Sequence, residues 1–487
     1  MNYKNLSIRE LHELLRTKKI TALDLTKQVI EEMQKDDQPN FLITLPTDDM
    51  LRYAQYLDQN FDPNNLLYGI PYVAKDNFST KNIRTTAGSK ILSNYIPNFN
   101  ATIVELLNQN QAMMAGKVTL DELGMGGTGL HSAYGEISNP YDQKRQIGGS
   151  SSGSVYAVAK GLVPFSLGTD TGDSIRKPAS YVGIVGFKPT YGAISRYGVI
   201  PYAPSLDHAG FFTRNVDDMA LIADVTFKKD DKDFTSFETR DQDFLKDIND
   251  LKPTTKFAYL KEVQEHLPEK IKRKYEQLFN KLKAKGYEVN EVSFDLDLLN
   301  TINPVYMMIS YPEAISSHAN LSGMGFGMRA EGENYAQIMI NSRSKYLGEI
   351  VKRRFVIGSL NLKQENQDLY FLKAKRVRRL IANALNDILA SDDILILPPS
   401  FQPAPLIETA LEDDEKADSD FLHDILVMGN FAGIPSITIP FTTEEAMPIG
   451  INLNAGVYQD KKLLQAAKVL EDIIGIKDRI VGDKKYD

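Results

Sequence analysis

The chain has 487 residues, of which 42% are hydrophobic and 25% are charged, and its formal net charge is −8. This composition predicts a large globular core, and the acidic balance argues against independent binding to nucleic acid or to an anionic membrane. The sequence has no cysteine, which excludes disulfides, thiolate metal sites and cysteine nucleophiles. It begins without an apolar signal core and has no run of the ~18 apolar residues that a membrane helix needs, so we expect a cytoplasmic protein without membrane contact.

The N-terminal segment predicts two helices. Ser7 and Glu10 form a capping-box pattern at the start of the first helix. Thr21 is placed to cap the second helix. One face of that helix is marked by apolar residues at helical spacing, which are Ala22, Leu25, Val29 and Met33.

From about residue 68, short apolar runs alternate with helical segments. The candidate strands are residues 70–74, 112–117, 163–167 and 394–397, and the run FAGIPSITIPF at 431–441. Alternation of this kind predicts an α/β fold with a largely covered central sheet. Residues 228–250 are charged and poor in apolar side chains, which predicts a solvated excursion, whereas residues 261–286 and 368–389 are predicted helices.

Residues 146–178 carry the clearest chemical signal, QIGGSSSGSVYAVAKGLVPFSLGTDTGDSIRKP. Two Gly/Ser-rich turns place hydroxyls beside backbone N–H groups, which are the nucleophile and the oxyanion donors that acyl transfer needs. The structural interpretation of such a run is a simple turn or an anion-binding nest. No histidine lies in this segment and none of the six in the chain has a metal-binding spacing, although a Ser-His-Asp triad assembled from distant residues stays an alternative.

Lysine is the other candidate base, because burial beside hydroxyls and dipoles lowers the pKa of an amine enough for it to accept a proton. Lys75 ends an apolar strand, and Lys117 and Lys188 are placed similarly. Spacing alone does not choose among the three, and a lysine after a strand is more often a solvated surface residue.

Four segments resemble the amidase-signature family, and they are GIPYVAKDN, QIGGSSSGS, DTGDSIRKPASYVGIVGFKPTYG and SLDHAGFFTRNVDD. The 75 residues from Lys75 to Ser150 and the 24 from Ser150 to Ser174 are similar to the spacing of that family's Lys–Ser–Ser triad. The resemblance implies one amidase-signature domain over residues 1–487, with a central mixed, twisted β-sheet covered by helices on both faces. Within it, residues 1–66 would be an N-terminal helical region, 67–220 the core with the triad, and 221–487 the substrate-side and partner-facing remainder.

The resemblance also implies roles for the triad. Ser174 would attack the amide carbon, Ser150 would relay the proton, and Lys75 would be the final base. The peptide bond between Gly149 and Ser150 would be cis. The oxyanion hole would be formed by the backbone N–H groups of Thr171, Gly172, Asp173 and Ser174.

The substrate side of the site follows from the same resemblance. Arg354, with Arg353 as its rival, would bind the substrate α-carboxylate, and Asp424 would bind the α-amino group. Tyr306, with Tyr311 as its rival, would close the pocket. The structural alternatives for these residues are charge on a helix surface and packing in the core.

Segments such as GKVTLDELGMGGTGLHSAYGEISNPYD and GEIVKRRFVIG are similar to the branch of the family that works in tRNA-dependent amidotransferases. That branch implies release of ammonia from glutamine through a serine acyl-enzyme, so that a partner converts Glu-tRNA(Gln) to Gln-tRNA(Gln). No cofactor is then expected in this chain, and ATP and Mg belong to the partner. The implied partners are the B and C subunits of a heterotrimer, with an internal ammonia tunnel and with charged tRNA bound indirectly through the B subunit. Asparagine as donor, Asp-tRNA(Asn) as acceptor, a stand-alone amidase on small amides, and a subunit with a weakened site remain alternatives.

The chain departs from the family pattern beside the nucleophile. Residues 152 and 173 are Ser and Asp where the family usually has glycine, and Lys177 stands where glutamine is more frequent. The segment HANLSGMGFG also replaces the family's usual substrate-side loop. A carboxylate at Asp173 that pointed inward would disfavour a developing oxyanion, so we expect it to point to solvent or to pair with Lys177. Asp170 and Arg176 are predicted to form an ion pair that fixes the same loop.

Overall fold

The computed structural model describes residues 2–413 and 420–483, and their strands form one eleven-stranded β-sheet. The strands are β1 (Leu42–Thr44), β2 (Pro71–Lys75), β3 (Met113–Val118), β4 (Phe165–Asp170), β5 (Val185–Lys188), β6 (His208–Thr213), β7 (Lys256–Leu260), β8 (Glu288–Val292), β9 (Ile394–Leu397), β10 (Ser436–Glu444) and β11 (Met447–Ala455). Their order is β1-β3-β2-β4-β6-β5-β10-β11-β9-β7-β8. The sheet is mixed, because β2 runs parallel to β3 and β4, and β7 runs parallel to β8 and β9, while the other pairs are antiparallel.

Eighteen α-helices surround the sheet in the described residues. They are α1 (Ile8–Arg16), α2 (Ala22–Gln34), α3 (Thr47–Gln59), α4 (Thr102–Gln109), α5 (Ser152–Ala159), α6 (Arg176–Val182), α7 (Val216–Thr226), α8 (Lys261–His266), α9 (Glu269–Ala284), α10 (Leu296–Asn300), α11 (Ile302–Ser317), α12 (Tyr335–Tyr346), α13 (Glu349–Leu362), α14 (Lys373–Ser391), α15 (Ile407–Asp413), α16 (Phe421–Asp424), α17 (Val427–Ala432) and α18 (Asp460–Ile474). Short 3-10 turns occur at Pro39–Phe41, Lys90–Leu92 and Glu122–Gly124, and a π-helical turn at Asp368–Leu372 leads into α14.

The helices lie in two layers. Helices α5 and α6 contact each other and cover β4, β5, β10 and β11, whereas α7 and α18 contact each other and cover β6, β10 and β11. Every residue of β4 and β11 is buried, as expected for strands covered on both faces. The predicted α/β fold, with a mixed central sheet between helices, is therefore confirmed.

The helices and strands predicted from short sequence patterns appear at or near their predicted positions. The Ser7 side chain accepts from the backbone of Glu10, the Glu10 side chain accepts from the backbone of Ser7, and α1 begins at the next residue. Thr21 caps α2, and the predicted apolar face of α2 is buried. The predicted strands 70–74, 112–117 and 163–167 appear as β2, β3 and β4, displaced by one to three residues, and 394–397 is β9.

Two predictions for residues 228–286 needed correction. Residues 261–286 form two helices, because Leu267 adopts an extended conformation (φ −68°, ψ 142°) before Pro268, which a following proline favours. Residues 228–250 contain no helix or strand, but Phe244 and Ile248 are buried, so this segment is packed onto the body and is not a fully solvated excursion. The predicted helix at 368–389 begins as the π-helical turn and continues as α14.

Two further features bear on function. None of the helices in the described ranges, 2–413 and 420–483, is both long enough and apolar enough to cross a membrane. The same residues contain no cluster of three or more His, Cys, Asp or Glu that could hold a metal ion.

The sheet also determines where the site is. β2 and β4 are adjacent and parallel, with Ala74 opposite Leu167. Their carboxyl ends, Lys75 and Asp170, therefore meet at the same edge of the sheet, which is where α/β folds place their sites.

Candidate active site

Lys75 lies at the end of β2 in a shell of hydroxyl groups. Its Nζ is 2.8 Å from Ser150 Oγ, 3.0 Å from Ser151 Oγ and 2.8 Å from Thr169 Oγ1. The lysine and both serines are buried, and the peptide bond before Ser150 is cis, as the family resemblance implies. The amine is thus directly connected to Ser150, and within the described residues its hydrogen-bond partners are hydroxyl and carbonyl oxygens, not carboxylates.

This environment makes the amine a usable base. Burial lowers the pKa of Lys75 to about 7, and the attraction of Asp121, Asp170 and Asp207 opposes the lowering without cancelling it. A large fraction of the amine is therefore neutral at pH 7 and able to accept a proton, which an ordinary lysine is not.

The two other candidate lysines occupy different surroundings. Lys117 is buried with its Nζ 2.9 Å from Asp76 Oδ1 and donates to the carbonyl of Phe78 at 2.8 Å. Lys188 donates to the backbone carbonyl of Ile434. Lys75 is the one of the three whose amine contacts serine hydroxyls, and this contact favours Lys75 over the other two as the candidate base.

The loop after β4 is held by the predicted ion pair. Arg176 Nε and one of its terminal nitrogens lie 3.0 Å from the two carboxylate oxygens of Asp170, and both side chains are buried. Arg176 also donates to the carbonyl of Gly172 at 2.6 Å and to Asn430 Oδ1 at 2.6 Å. Burial raises the pKa of Asp170, but the charge and hydrogen bonds of Arg176 lower it well below its ordinary value, so the carboxylate stays ionised.

This loop leaves backbone donors available. In residues 2–413 and 420–483, no backbone or side-chain acceptor takes the N–H groups of Gly172, Asp173 and Ser174. The side chain of Thr171, the fourth predicted oxyanion residue, donates from its hydroxyl to Asp207 at 2.7 Å. Free N–H groups at consecutive positions are the donors that an oxyanion hole requires.

Asp173 adopts one of the two orientations expected from the sequence. Its Oδ2 lies 2.5 Å from Lys177 Nζ, and the two side chains are 17% and 16% exposed. The carboxylate beside the candidate nucleophile is therefore paired with a cation.

The predicted substrate residues meet in one cavity of about 340 Å³. Ser174 lines this cavity, and so do Tyr306, Arg354 and Asp424. The rivals Arg353 and Tyr311 line it as well, so the cavity does not by itself choose between the members of either pair. The rings of Tyr202 and Tyr311 lie 5.9 and 5.2 Å from the guanidinium carbon of Arg354, and Tyr306 packs close to Gly172.

Two neighbours of Lys75 were not predicted. Ser151 and Thr169 each supply a hydroxyl to its amine, and Asn77 donates to Thr169 Oγ1 at 3.1 Å. Ser151 carries a weak signal, because it adjoins Ser150 in a serine-rich run. Thr169 lies inside an ordinary strand sequence, and only the pairing of β2 with β4 brings it to Lys75.

The model of the Amidase family matches residues 24–464. This chain belongs to the amidase family. The A subunit of the glutamyl-tRNA(Gln) amidotransferase of Mycoplasma genitalium is 41% identical to this chain over 482 residues, and the alignment covers 96% of this chain and 99% of that protein. The crystal structure of the glutamyl-tRNA(Gln) amidotransferase A subunit from Thermotoga maritima has a TM-score of 0.78 and 32% identity, and the alignment covers 97% of this chain and 95% of that one.

The fold extends to amidases of low sequence identity. The native peptide amidase of Stenotrophomonas maltophilia has a TM-score of 0.82 at 23% identity, over 98% of each chain. That likeness concerns the amidase fold alone, and it confirms the fold class predicted from the sequence.

Proposed function

We propose that this amidase hydrolyses glutamine as the A subunit of a glutamyl-tRNA(Gln) amidotransferase. The observation that carries the proposal is the 2.8 Å contact between the buried amine of Lys75 and the hydroxyl of Ser150, in a chain whose relatives bear that name over nearly their full length. The contact supplies the base that the Gly/Ser-rich loops lack.

In the proposed first step, Ser174 Oγ attacks the amide carbon and loses its proton to Ser150, whose own proton passes to the neutral amine of Lys75. The tetrahedral oxyanion accepts hydrogen bonds from the N–H groups of residues 171–174. When the C–N bond breaks, Ser150 returns a proton to the leaving nitrogen and is reprotonated by Lys75, so ammonia leaves and a γ-glutamyl ester remains on Ser174. Two hydroxyls in series allow a buried base to act on a nucleophile that it does not touch.

In the second step, water attacks the ester. The same relay removes one proton from the water and returns it to Ser174, and glutamate leaves. Each turnover converts one glutamine and one water to glutamate and ammonia, so the protein ends in its starting protonation state.

The cavity suits an amino-acid amide. The planar guanidinium of Arg354 presents two parallel donors, which match a carboxylate, and Asp424 offers an acceptor for the α-ammonium group. Tyr306, which packs close to Gly172, would cover the substrate beside the oxyanion loop. The position of each side chain on the cavity that Ser174 also lines supports these three proposed roles.

The partners follow from the fate of ammonia. We propose a cytoplasmic heterotrimer in which the B subunit holds ATP, Mg and charged tRNA, the C subunit completes the assembly, and ammonia travels through an internal path. A second cavity, of about 390 Å³, is lined by Thr169, Thr171 and Asp207. Because Thr169 also contacts Lys75, this cavity begins next to the proposed base, and we propose it as the first part of the ammonia path.

The covalent step can be tested directly. After rapid acid quench of the protein with glutamine, we expect a γ-glutamyl adduct on the peptide that contains Ser174, detected by mass spectrometry. Ser174→Ala should lose the adduct and the hydrolysis, while Ser205→Ala, a serine outside the substrate cavity, should keep both. An adduct on another residue, or hydrolysis that survives Ser174→Ala, would contradict the proposal.

The assembly needs a separate experiment. Affinity purification of the tagged chain from its own cells should recover a stable partner that binds tRNA and hydrolyses ATP when glutamine and Glu-tRNA(Gln) are supplied. Recovery of this chain alone, with robust hydrolysis of small amides, would instead support a stand-alone amidase.

A further inference from the structure

The ion pair between Asp173 and Lys177 lies beside the reacting atoms. Asp173 directly precedes Ser174, and both residues line the substrate cavity together with Lys177. The carboxylate and the ammonium are 2.5 Å apart and each is less than one-fifth exposed. Neither charge is fully screened by water at this depth, so each affects its neighbours.

An unpaired carboxylate at this position would oppose the proposed chemistry. The backbone N–H of Asp173 is one of the free donors of the oxyanion loop. The carboxylate of Asp173 is therefore only a few covalent bonds from a donor that would stabilise the developing negative charge. Electrostatic stabilisation at that place is usually the largest contribution to acyl-transfer catalysis. A second negative charge nearby would remove part of it.

Lys177 is anchored so that it can cancel this charge. Its backbone N–H donates to the carbonyl of Asp173 at 3.0 Å, which sets the two side chains one helical turn apart on the same face. Its Nζ also donates to the carbonyl of His423 at 2.7 Å. Burial lowers the pKa of Lys177, but the attraction of Asp173 and of further groups, Asp424 among them, raises it above its ordinary value, so the amine stays charged at neutral pH.

We propose that Lys177 is a positioning residue for acyl transfer, which neutralises the Asp173 carboxylate beside the oxyanion and holds it in a fixed place. The pair is then one functional unit, in which either residue alone is harmful and the two together are tolerated. This inference rests on the proposed attack by Ser174.

The two halves of the pair have different kinetic signatures. Loss of Lys177 leaves the carboxylate to repel the oxyanion, which forms only during reaction, so kcat falls while KM changes little. Loss of the Asp173 charge releases Lys177 toward Asp424, where it competes with the substrate α-ammonium, so KM rises.

The experiment is a double-mutant cycle on glutamine hydrolysis by the full-length chain in the assembly that it forms in its own cells. Lys177→Met should lower kcat by about 10- to 100-fold with KM within about threefold. Asp173→Asn should raise KM by about five- to tenfold without raising kcat, and Asp173→Asn with Lys177→Met should recover kcat to within about threefold of the parent. Lys177→Arg, which keeps the charge, should retain most of the parent kcat and serves as the matched control.

Several outcomes would overturn the inference. Equal losses in both single variants that simply add in the double variant would show two independent residues. A large gain in kcat for Asp173→Gly alone would show that the carboxylate impairs the site despite Lys177. Thermal unfolding of each variant identifies any that fails to fold; if Lys177→Met does, Asp173→Asn still tests the effect of removing one charge of the pair, with Lys177→Arg as the control that keeps both charges. Failure of the proposed function looks different, because the parent chain itself would then not hydrolyse glutamine.

Discussion

Lys75 and Lys117 lie side by side on the parallel strands β2 and β3, where Lys117 is opposite Ala74, and both side chains are fully buried. Lys117 has a carboxylate, Asp76, at 2.9 Å, whereas the nearest partners of Lys75 are hydroxyls. A buried amine with a carboxylate forms a structural ion pair, because loss of its proton would strand the partner's charge. A buried amine among hydroxyls can lose its proton at little cost and is free to act as a base.

Substitution of the two lysines should separate these roles, and the largest effect is expected at Lys75. Lys75→Ala should lower glutamine hydrolysis at pH 7.5 by about 1,000-fold, since general-base catalysis contributes about 10² to 10⁴. Lys75→Arg should be equally inactive, because a guanidinium does not lose its proton in this range. A loss of less than tenfold in steady-state kinetics would show that Lys75 is not the base.

The free energy of unfolding should depend more on Lys117 than on Lys75. Lys117→Met should lower the free energy of unfolding by about 3–5 kcal/mol, because it leaves Asp76 as an unpaired buried charge. Lys75→Met, the matched variant, strands no carboxylate and should leave stability at pH 7 unchanged or higher. Urea denaturation of both variants checks this, and equal losses would contradict the difference drawn between the two sites.

The pH profile sharpens the comparison further. Because the pKa of Lys75 is lowered to about 7, the reactive neutral amine is lost as pH falls and gained as pH rises through 7. We expect kcat/KM for glutamine to rise about tenfold between pH 6 and pH 8, with an acid limb near pH 7. An activity that is flat over this range, or that falls with rising pH, would exclude a lysine base with this pKa.

The smallest effects are expected from the threonines that contact each amine. Thr169→Val removes an acceptor from Lys75 at 2.8 Å, so activity should fall about three- to tenfold and the acid limb should move to lower pH. Thr85→Val removes an acceptor from Lys117 at 3.0 Å, and it should cost about 1 kcal/mol of stability with activity unchanged. The measurement is the pH–rate profile of each variant. A shift of the acid limb in Thr85→Val would contradict the assignment of that limb to Lys75.

Local signals predicted the parts of the fold that depend on neighbours in the chain. The capping box of Ser7 and Glu10 satisfies backbone donors within one helical turn, so its effect can be predicted from four residues. The apolar runs of β2, β3 and β4 were likewise found within one to three residues. The strand order was outside the reach of such signals, because β9 pairs with β7 and β11, which are more than 50 residues away along the chain on either side.

The same division holds at the site. By itself the sequence determined the Gly/Ser-rich loops, the three candidate lysines, the family resemblance and the presence of a carboxylate beside Ser174. The tertiary structure decided which lysine reaches the serines and that Asp173 pairs with Lys177, and it brought Arg354, Asp424 and Tyr306 to one cavity. The physical reason is that the pKa of a buried amine depends on every group within a few ångströms, and strands distant in sequence supply most of those groups.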